Sequence, residues 1–75
     1  MTVDEFKKNI VPHMKKGYVA MDQDKKYWWY KRKPRKLKYH WNVKTFTGND
    51  LCYLQKIFKI NPVEDWTQSL FKVGK

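Results

Sequence analysis

Tyr27-Trp28-Trp29-Tyr30 runs directly into Lys31-Arg32-Lys33-Pro34-Arg35-Lys36-Leu37-Lys38, with His40 two residues further on. The chemistry these side chains support is contact with a polyanion that carries exposed rings. Ammonium and guanidinium groups displace counterions condensed on phosphates, and aromatic faces stack on unpaired bases. Arg32 and Arg35 can fork onto a phosphate or a base edge, whereas the lysines act as point charges. The candidate nucleic-acid-binding set is therefore Lys31, Arg32, Lys33, Arg35, Lys36, Lys38 and His40, with the rings of Tyr27, Trp28, Trp29 and Tyr30. The charge is local. Residues 25–46 hold nine basic side chains, seven aromatic ones and no acid, which accounts for +9 of the formal net +10.

Turnover is poorly served by the same residues. Asp22 and Asp24 flank a turn and His40 lies beyond the basic run, so a metal-dependent or histidine-based nuclease can be drawn. Acids spaced two apart in a hairpin more often accept local backbone hydrogen bonds, and His40 has no evident acid or base partner. No Gly-rich phosphate loop or activated nucleophile is present, and no catalytic residue is assigned. Cys52, His13 and His40 are too few and too scattered for a structural metal, so neither a metal nor another cofactor is expected. A single cysteine forms no internal disulfide, and the opening residues contain no apolar run of signal-peptide or membrane-span length. These features predict a reducing, intracellular setting and no membrane partner.

Single-stranded RNA is favoured over duplex DNA, because exposed rings need unstacked bases and no recognition helix, zinc finger or basic zipper is visible. The Gly-flanked aromatics of the RNA-recognition sheet and the GXXG loop are also absent. A reading from another class is kept beside it: the basic aromatic surface docks directly on an acidic host protein, with Trp28 or Trp29 as anchor. Without any ligand, the basic run would be a solvated loop.

The elements that must position these residues follow from caps and periodicity. Thr2 with Glu5 reads as a capping box, and Val3, Phe6, Ile10 and Met14 form one apolar stripe, with Pro12 forcing a kink or early stop before Gly17. Residues 18–22 and 27–33 read as strands of a hairpin. Leu37, Tyr39, Trp41 and Val43 alternate with polar residues as a half-buried strand, leaving Lys38 and His40 on its outer face beside the hairpin rings. Residues 47–50 read as a loop, and residues 51–60 are ambiguous between strand and helix, with strand preferred. Asn61, Pro62 and Glu64 mark a short C-terminal helix carrying Val63, Trp66, Leu70 and Phe71.

The 75 residues are thus expected to form a single α+β domain, a small antiparallel sheet of three or four strands with an N-terminal helix and a short C-terminal helix. Such a chain buries a modest core, and a homodimer interface is one way to extend it. Because strand side chains alternate, one alternating pair of the four rings at 27–30 should point away from the helix-covered face. That pair is either a stacking platform or is covered by the C-terminal segment or a second subunit.

Tyr18-Val19-Ala20-Met21-Asp22-Gln23-Asp24, the aromatic strand ending at Pro34, Trp41, and Pro62-Val63-Glu64-Asp65-Trp66-Thr67-Gln68-Ser69-Leu70 resemble small tailed-bacteriophage proteins. Those proteins carry an Ala-x-Asp-x-Asp hairpin, a Trp and a C-terminal Asp-Trp-x-x-Ser-Leu. The likeness spans about residues 18–71 and implies an origin more than a mechanism. The chain departs from the pattern in having no Gly in its hairpin turn and in its basic insertion. In size and charge it is similar to RNA-binding inhibitors of toxin–antitoxin ribonucleases. That resemblance implies counter-defence in the host cell cytoplasm, with RNA and a host nuclease as partners.

Overall fold

Thr2 and Glu5 begin the fold as their spacing predicts. In the computed structural model, which describes residues 1–42 and 51–74, Glu5 N–H donates to Thr2 Oγ1 at 3.1 Å and Thr2 N–H to Glu5 Oε1 at 3.0 Å. This box opens helix α1 (Val3–Asn9), and its bonds hold the Glu5 carboxyl below the usual range. Pro12 lies in a 3-10 turn, Val11–His13, directly after α1. With no N–H to donate, it supports the early stop rather than a longer helix.

The strands in chain order are β1 (Gly17–Met21), β2 (Tyr27–Tyr30), β3 (Arg35–Lys36), β4 (Trp41–Asn42), β5 (Leu51–Tyr53) and β6 (Phe71–Val73). Four of them form an antiparallel sheet in the order β5-β2-β1-β6, and β3 and β4 form a separate antiparallel pair. The β1–β2 turn is closed by Asp22 and by Asp24, whose Oδ1 accepts the Lys26 N–H at 3.1 Å. Lys25 takes the left-handed conformation, φ 69°, that glycine would adopt without a steric penalty. The missing glycine noted in the sequence is thus replaced by a lysine in the same conformation.

Strand alternation divides the sheet between two apolar clusters. Val19, Met21, Tyr27, Trp29, Phe71 and Val73 face α1 and pack with Phe6, Leu54 and Ile60. Phe6 meets Phe58 and Phe71 edge to face, with centroids 5.5 and 6.4 Å apart. The opposite face carries Tyr18, Ala20, Trp28 and Tyr30, which pack with Trp41, Leu51, Trp66 and Leu70.

The β3–β4 hairpin is docked onto that second face by named polar contacts. Asp22 Oδ1 accepts the Trp41 N–H at 2.9 Å, the Tyr30 hydroxyl donates to the Trp41 carbonyl at 3.1 Å, and the Trp41 indole donates to the Trp66 carbonyl at 3.1 Å. Gln23 N–H reaches the Tyr39 carbonyl at 3.2 Å. Both faces of the sheet are therefore covered by the chain itself.

Three expectations are corrected. The run from Leu37 is not one continuous strand, because the β3–β4 pairing makes residues 37–40 a tight turn, with Leu37 N–H bonded to the His40 carbonyl at 2.8 Å. Leu37 and Tyr39 (57% exposed) accordingly face solvent, and of that alternating set Trp41 is the buried member among the described residues. Val43 and the loop at 47–50 lie outside the described residues. Residues 51–60 divide, giving strand β5 followed by a 3-10 turn at Leu54–Lys56.

The expected C-terminal helix is replaced by a 3-10 turn, Trp66–Gln68, and strand β6. Asp65 caps that turn, accepting the Thr67 N–H at 3.0 Å and the Thr67 hydroxyl at 2.6 Å, and these bonds lower its carboxyl pKa. Ser69 then continues the β1–β6 register by side chain. Its hydroxyl accepts the buried Met21 N–H at 2.8 Å and lies 3.0 Å from the Met21 carbonyl. Ser69→Ala should cost about 1–3 kcal/mol in urea unfolding, because it leaves the Met21 N–H buried without a partner. An unchanged midpoint would show that water replaces the hydroxyl.

Candidate nucleic-acid interface

One end of the sheet gathers cations from three distant parts of the chain. Lys16 immediately precedes β1, residues 31–33 follow β2, and Lys72 sits opposite Tyr18 in the β1–β6 register. Because Tyr18 is also paired with Tyr30, the antiparallel ladders bring all three segments to one edge. Lys16, Lys31, Arg32, Lys33 and Lys72 line a cleft of about 410 Å³ with Gly17 and the half-buried Tyr18. Among the described residues, no acidic side chain lines it. Lys31 and Arg32 also interact within the protein.

The cleft continues around the end of the sheet. A recess of about 350 Å³ is lined by Lys15, Lys16, Trp29 and Lys31, and so shares Lys16 and Lys31 with the cleft. Gly17 is what admits Trp29 there, since a Cβ at Gly17 would lie 2.6 Å from the indole Nε1 and from the Tyr30 carbonyl oxygen. The Trp29 Nε1 is buried and has no hydrogen-bond partner.

The aromatic run is distributed differently from the sequence expectation. Tyr27 and Tyr30 are each 1% exposed, so neither ring can stack on a base. Their hydroxyls are engaged inside, Tyr27 with the Asn61 carbonyl at 3.0 Å and Tyr30 with the Trp41 carbonyl. Burial pushes both phenols above their ordinary pKa, and the nearby Asp22 charge adds to the effect at Tyr30. The partly accessible rings are the two central ones, one on each face, rather than an alternating pair on one face. Trp28 is stacked at a tilt on Tyr53, its partner across the β2–β5 ladder, with centroids 4.9 Å apart.

The remaining sequence candidates are exposed but lie apart from the cleft lining. Arg35 and Lys36 form β3, and Lys38 and His40 lie in the turn beyond it, with the Lys38 ammonium 5.3 Å from the Tyr39 ring centre. The structure adds Lys15, Lys16, Lys72, Tyr18 and Tyr53, which the sequence reading passed over. Lys15 and Lys16 precede a strand, and Lys72 belongs to the segment read as helix. Their convergence depends on β6 pairing with β1.

Asp22 and Asp24 have structural tasks here. Both accept backbone N–H groups, from Trp41 and Lys26, and among the described residues no group of three or more His, Cys, Asp and Glu is placed to hold a metal ion. Burial raises the Asp22 pKa, partly offset by the Trp41 hydrogen bond. A carboxyl raised in the folded state binds its proton more readily there than in the unfolded chain. Its contribution is therefore present below the unfolded pKa and lost as pH rises through the folded one. Asp22→Asn, which keeps an acceptor for Trp41, should abolish that loss, so the variant's stability relative to the parent should rise with pH across the acid range. Urea midpoints of both proteins between about pH 3 and 7 test this, and parallel curves would refute it.

No family model, curated protein or solved structure matches this chain. Ala20, Asp22, Trp41, Trp66, Ser69 and Leu70 all lie at the junction of the second sheet face with the β3–β4 hairpin, and Asp24 and Asp65 close the turns on either side. These positions hold the fold. Among the described residues, no helix is long and apolar enough to cross a membrane.

Proposed function

We propose that the protein binds single-stranded RNA and acts by occupancy rather than turnover. The observation that carries this reading is the cleft in which Lys16, Lys31, Arg32, Lys33 and Lys72 converge beside Tyr18. Cations crowded at this density repel one another, and a phosphate chain relieves that repulsion while releasing its counterions. Arg35, Lys36, Lys38 and His40 on the neighbouring hairpin extend the basic surface for a longer strand. Trp28 and Tyr53 offer a second aromatic contact on the sheet face. The phage resemblance adds a setting to the proposal: RNA held in the host cytoplasm, at the expense of a host toxin ribonuclease that uses it.

Binding of a labelled single-stranded RNA across a salt series tests the core of the reading. Neutralising about six phosphates gives a slope of log affinity against log salt of roughly −4. A flat dependence, or no binding at low salt, overturns it. Retention of a host protein after ribonuclease treatment would assign the basic surface to direct protein docking instead.

A further inference from the structure

Beyond the recess at Lys15, Lys16 and Lys31 lies a cavity of different character. It has a volume of about 410 Å³, and among the described residues Lys15 is the one charged group in its lining. Its walls are Trp29 and Cys52 from the sheet, Leu54 and Phe58 from the segment after β5, and Met14 from the turn before β1. Ile57, 64% exposed, also lines it, so an apolar side chain lies largely in water beside an apolar hole. The volume falls within the range of about 300–1,000 Å³ typical of small-ligand sites.

Trp29 and Lys15 line both this cavity and the basic recess, so the two adjoin. A ligand that fills both must therefore join a flat apolar part to anionic groups. We infer that the cavity receives one unstacked nucleobase of a bound RNA strand, with its flanking phosphates on Lys15, Lys16 and Lys31. This rests on the RNA-binding reading and gives it a base site. Charge complementarity favours a strand over a single amphipath. The cations continue from the recess into the cleft through Lys16 and Lys31, whereas a fatty acyl chain with one anionic head needs the mouth alone.

The same geometry defines how a base would be read. Trp29 Nε1 is buried against Gly17, so the indole offers its ring and not its N–H. Among the described residues, Lys15, Cys52 and Met14 are the other side chains there with polar or polarisable ends. With so few directional groups, the site selects by stacking area, which favours purines over pyrimidines and tolerates sequence change.

The experiment compares oligoadenylate with an abasic ribose-phosphate strand of equal length and charge on the full chain. Oligoadenylate should shift the Leu54 and Ile57 methyl resonances, and the abasic strand should not. Cys52→Phe, a neutral change that fills the cavity, should weaken oligoadenylate binding about tenfold, as expected for one lost base stack, and leave abasic binding unchanged. If both strands bind with steep salt dependence but the methyl resonances stay still, the base site is wrong and the RNA-binding reading stands. If neither strand binds at low salt, both fail. Methyl shifts produced by vesicles containing anionic lipid, and not by oligoadenylate, would overturn the proposal in favour of an acyl ligand. The methyl measurement needs no variant, so a Cys52→Phe protein that fails to fold leaves the test intact.

Discussion

Trp41→Ala should remove about 3–5 kcal/mol of unfolding free energy, the usual cost of deleting a large buried aromatic side chain. The whole stability of a 75-residue domain is about 4–11 kcal/mol on ordinary per-residue values, so the variant should be at the edge of folding. The size of the effect comes from its position. Trp41 is 8% exposed and packs with Ala20 and Tyr30 beneath the β3–β4 hairpin, and its indole N–H is bonded to the Trp66 carbonyl. Its own N–H and carbonyl meet Asp22 and Tyr30, so loss of the ring also loosens two backbone anchors. Trp41→Phe keeps most of the packing and loses the indole bond, and should cost about 1 kcal/mol beyond the small change in area. Urea denaturation followed by far-ultraviolet circular dichroism measures both. A Trp41→Ala loss below about 1 kcal/mol would mean that the hairpin is not docked as described.

Lys16→Glu combined with Lys33→Glu should weaken single-stranded RNA binding about 100-fold at low salt and reduce the salt slope by about 1.4, the value for two lost phosphate contacts. Both side chains are exposed and both line the cleft, so the exchange should leave the thermal midpoint nearly unchanged. They are chosen over Lys31 and Arg32, which also interact within the chain. Lys16 is the informative member. It lies outside the basic block of the sequence and reaches the site only through the sheet, so Lys16→Glu alone distinguishes a folded cleft from a basic tract acting as a flexible tail. Unchanged binding by Lys16→Glu, with strong loss on reversal at Arg35 and Lys36, would move the interface to the β3–β4 hairpin.

What could be read in the sequence was mostly local. The Thr2–Glu5 box, the stop at Pro12 and the β1–β2 hairpin depend on residues a few positions apart, and each forms with the expected partners. The elements that changed depend on distant partners. Residues 37–40 contain no Gly, Asn or Pro to mark a turn, and that turn is held from outside by Gln23 and Asp22. At the C-terminus, Leu70 and Phe71 pack into opposite clusters. Adjacent apolar residues on opposite faces fit a strand, where neighbours point 180° apart, better than a helix, where they are about 100° apart. That spacing was present in the sequence but was outweighed by the helix signal at Asn61-Pro62. Asn61 in fact has its N–H on the Met1 carbonyl and its own carbonyl on the Tyr27 hydroxyl, both far away in the chain.

The candidate site divides in the same way. The cations of residues 31–33 were legible from composition. The burial of Tyr27 and Tyr30 was not, because it requires a cover on each face, one built from α1 and the other from the β3–β4 hairpin. Lys72 joins the cleft only once β6 is known to be a strand.

The position of β6 in the sheet also bears on how the chain is made. β1 acquires its neighbour β2 within a few residues of synthesis, but its other edge stays open until residues 71–73 emerge. Through that interval the nascent hairpin carries Tyr27, Trp28, Trp29 and Tyr30 with its second cover, Trp41, arriving late and its final strand later still. An unpaired strand edge beside uncovered rings is the kind of surface on which nascent chains associate. A chain interrupted before residue 71 should therefore accumulate as insoluble material rather than as a weakened version of the fold, and its yield should depend on chaperone supply more than on temperature.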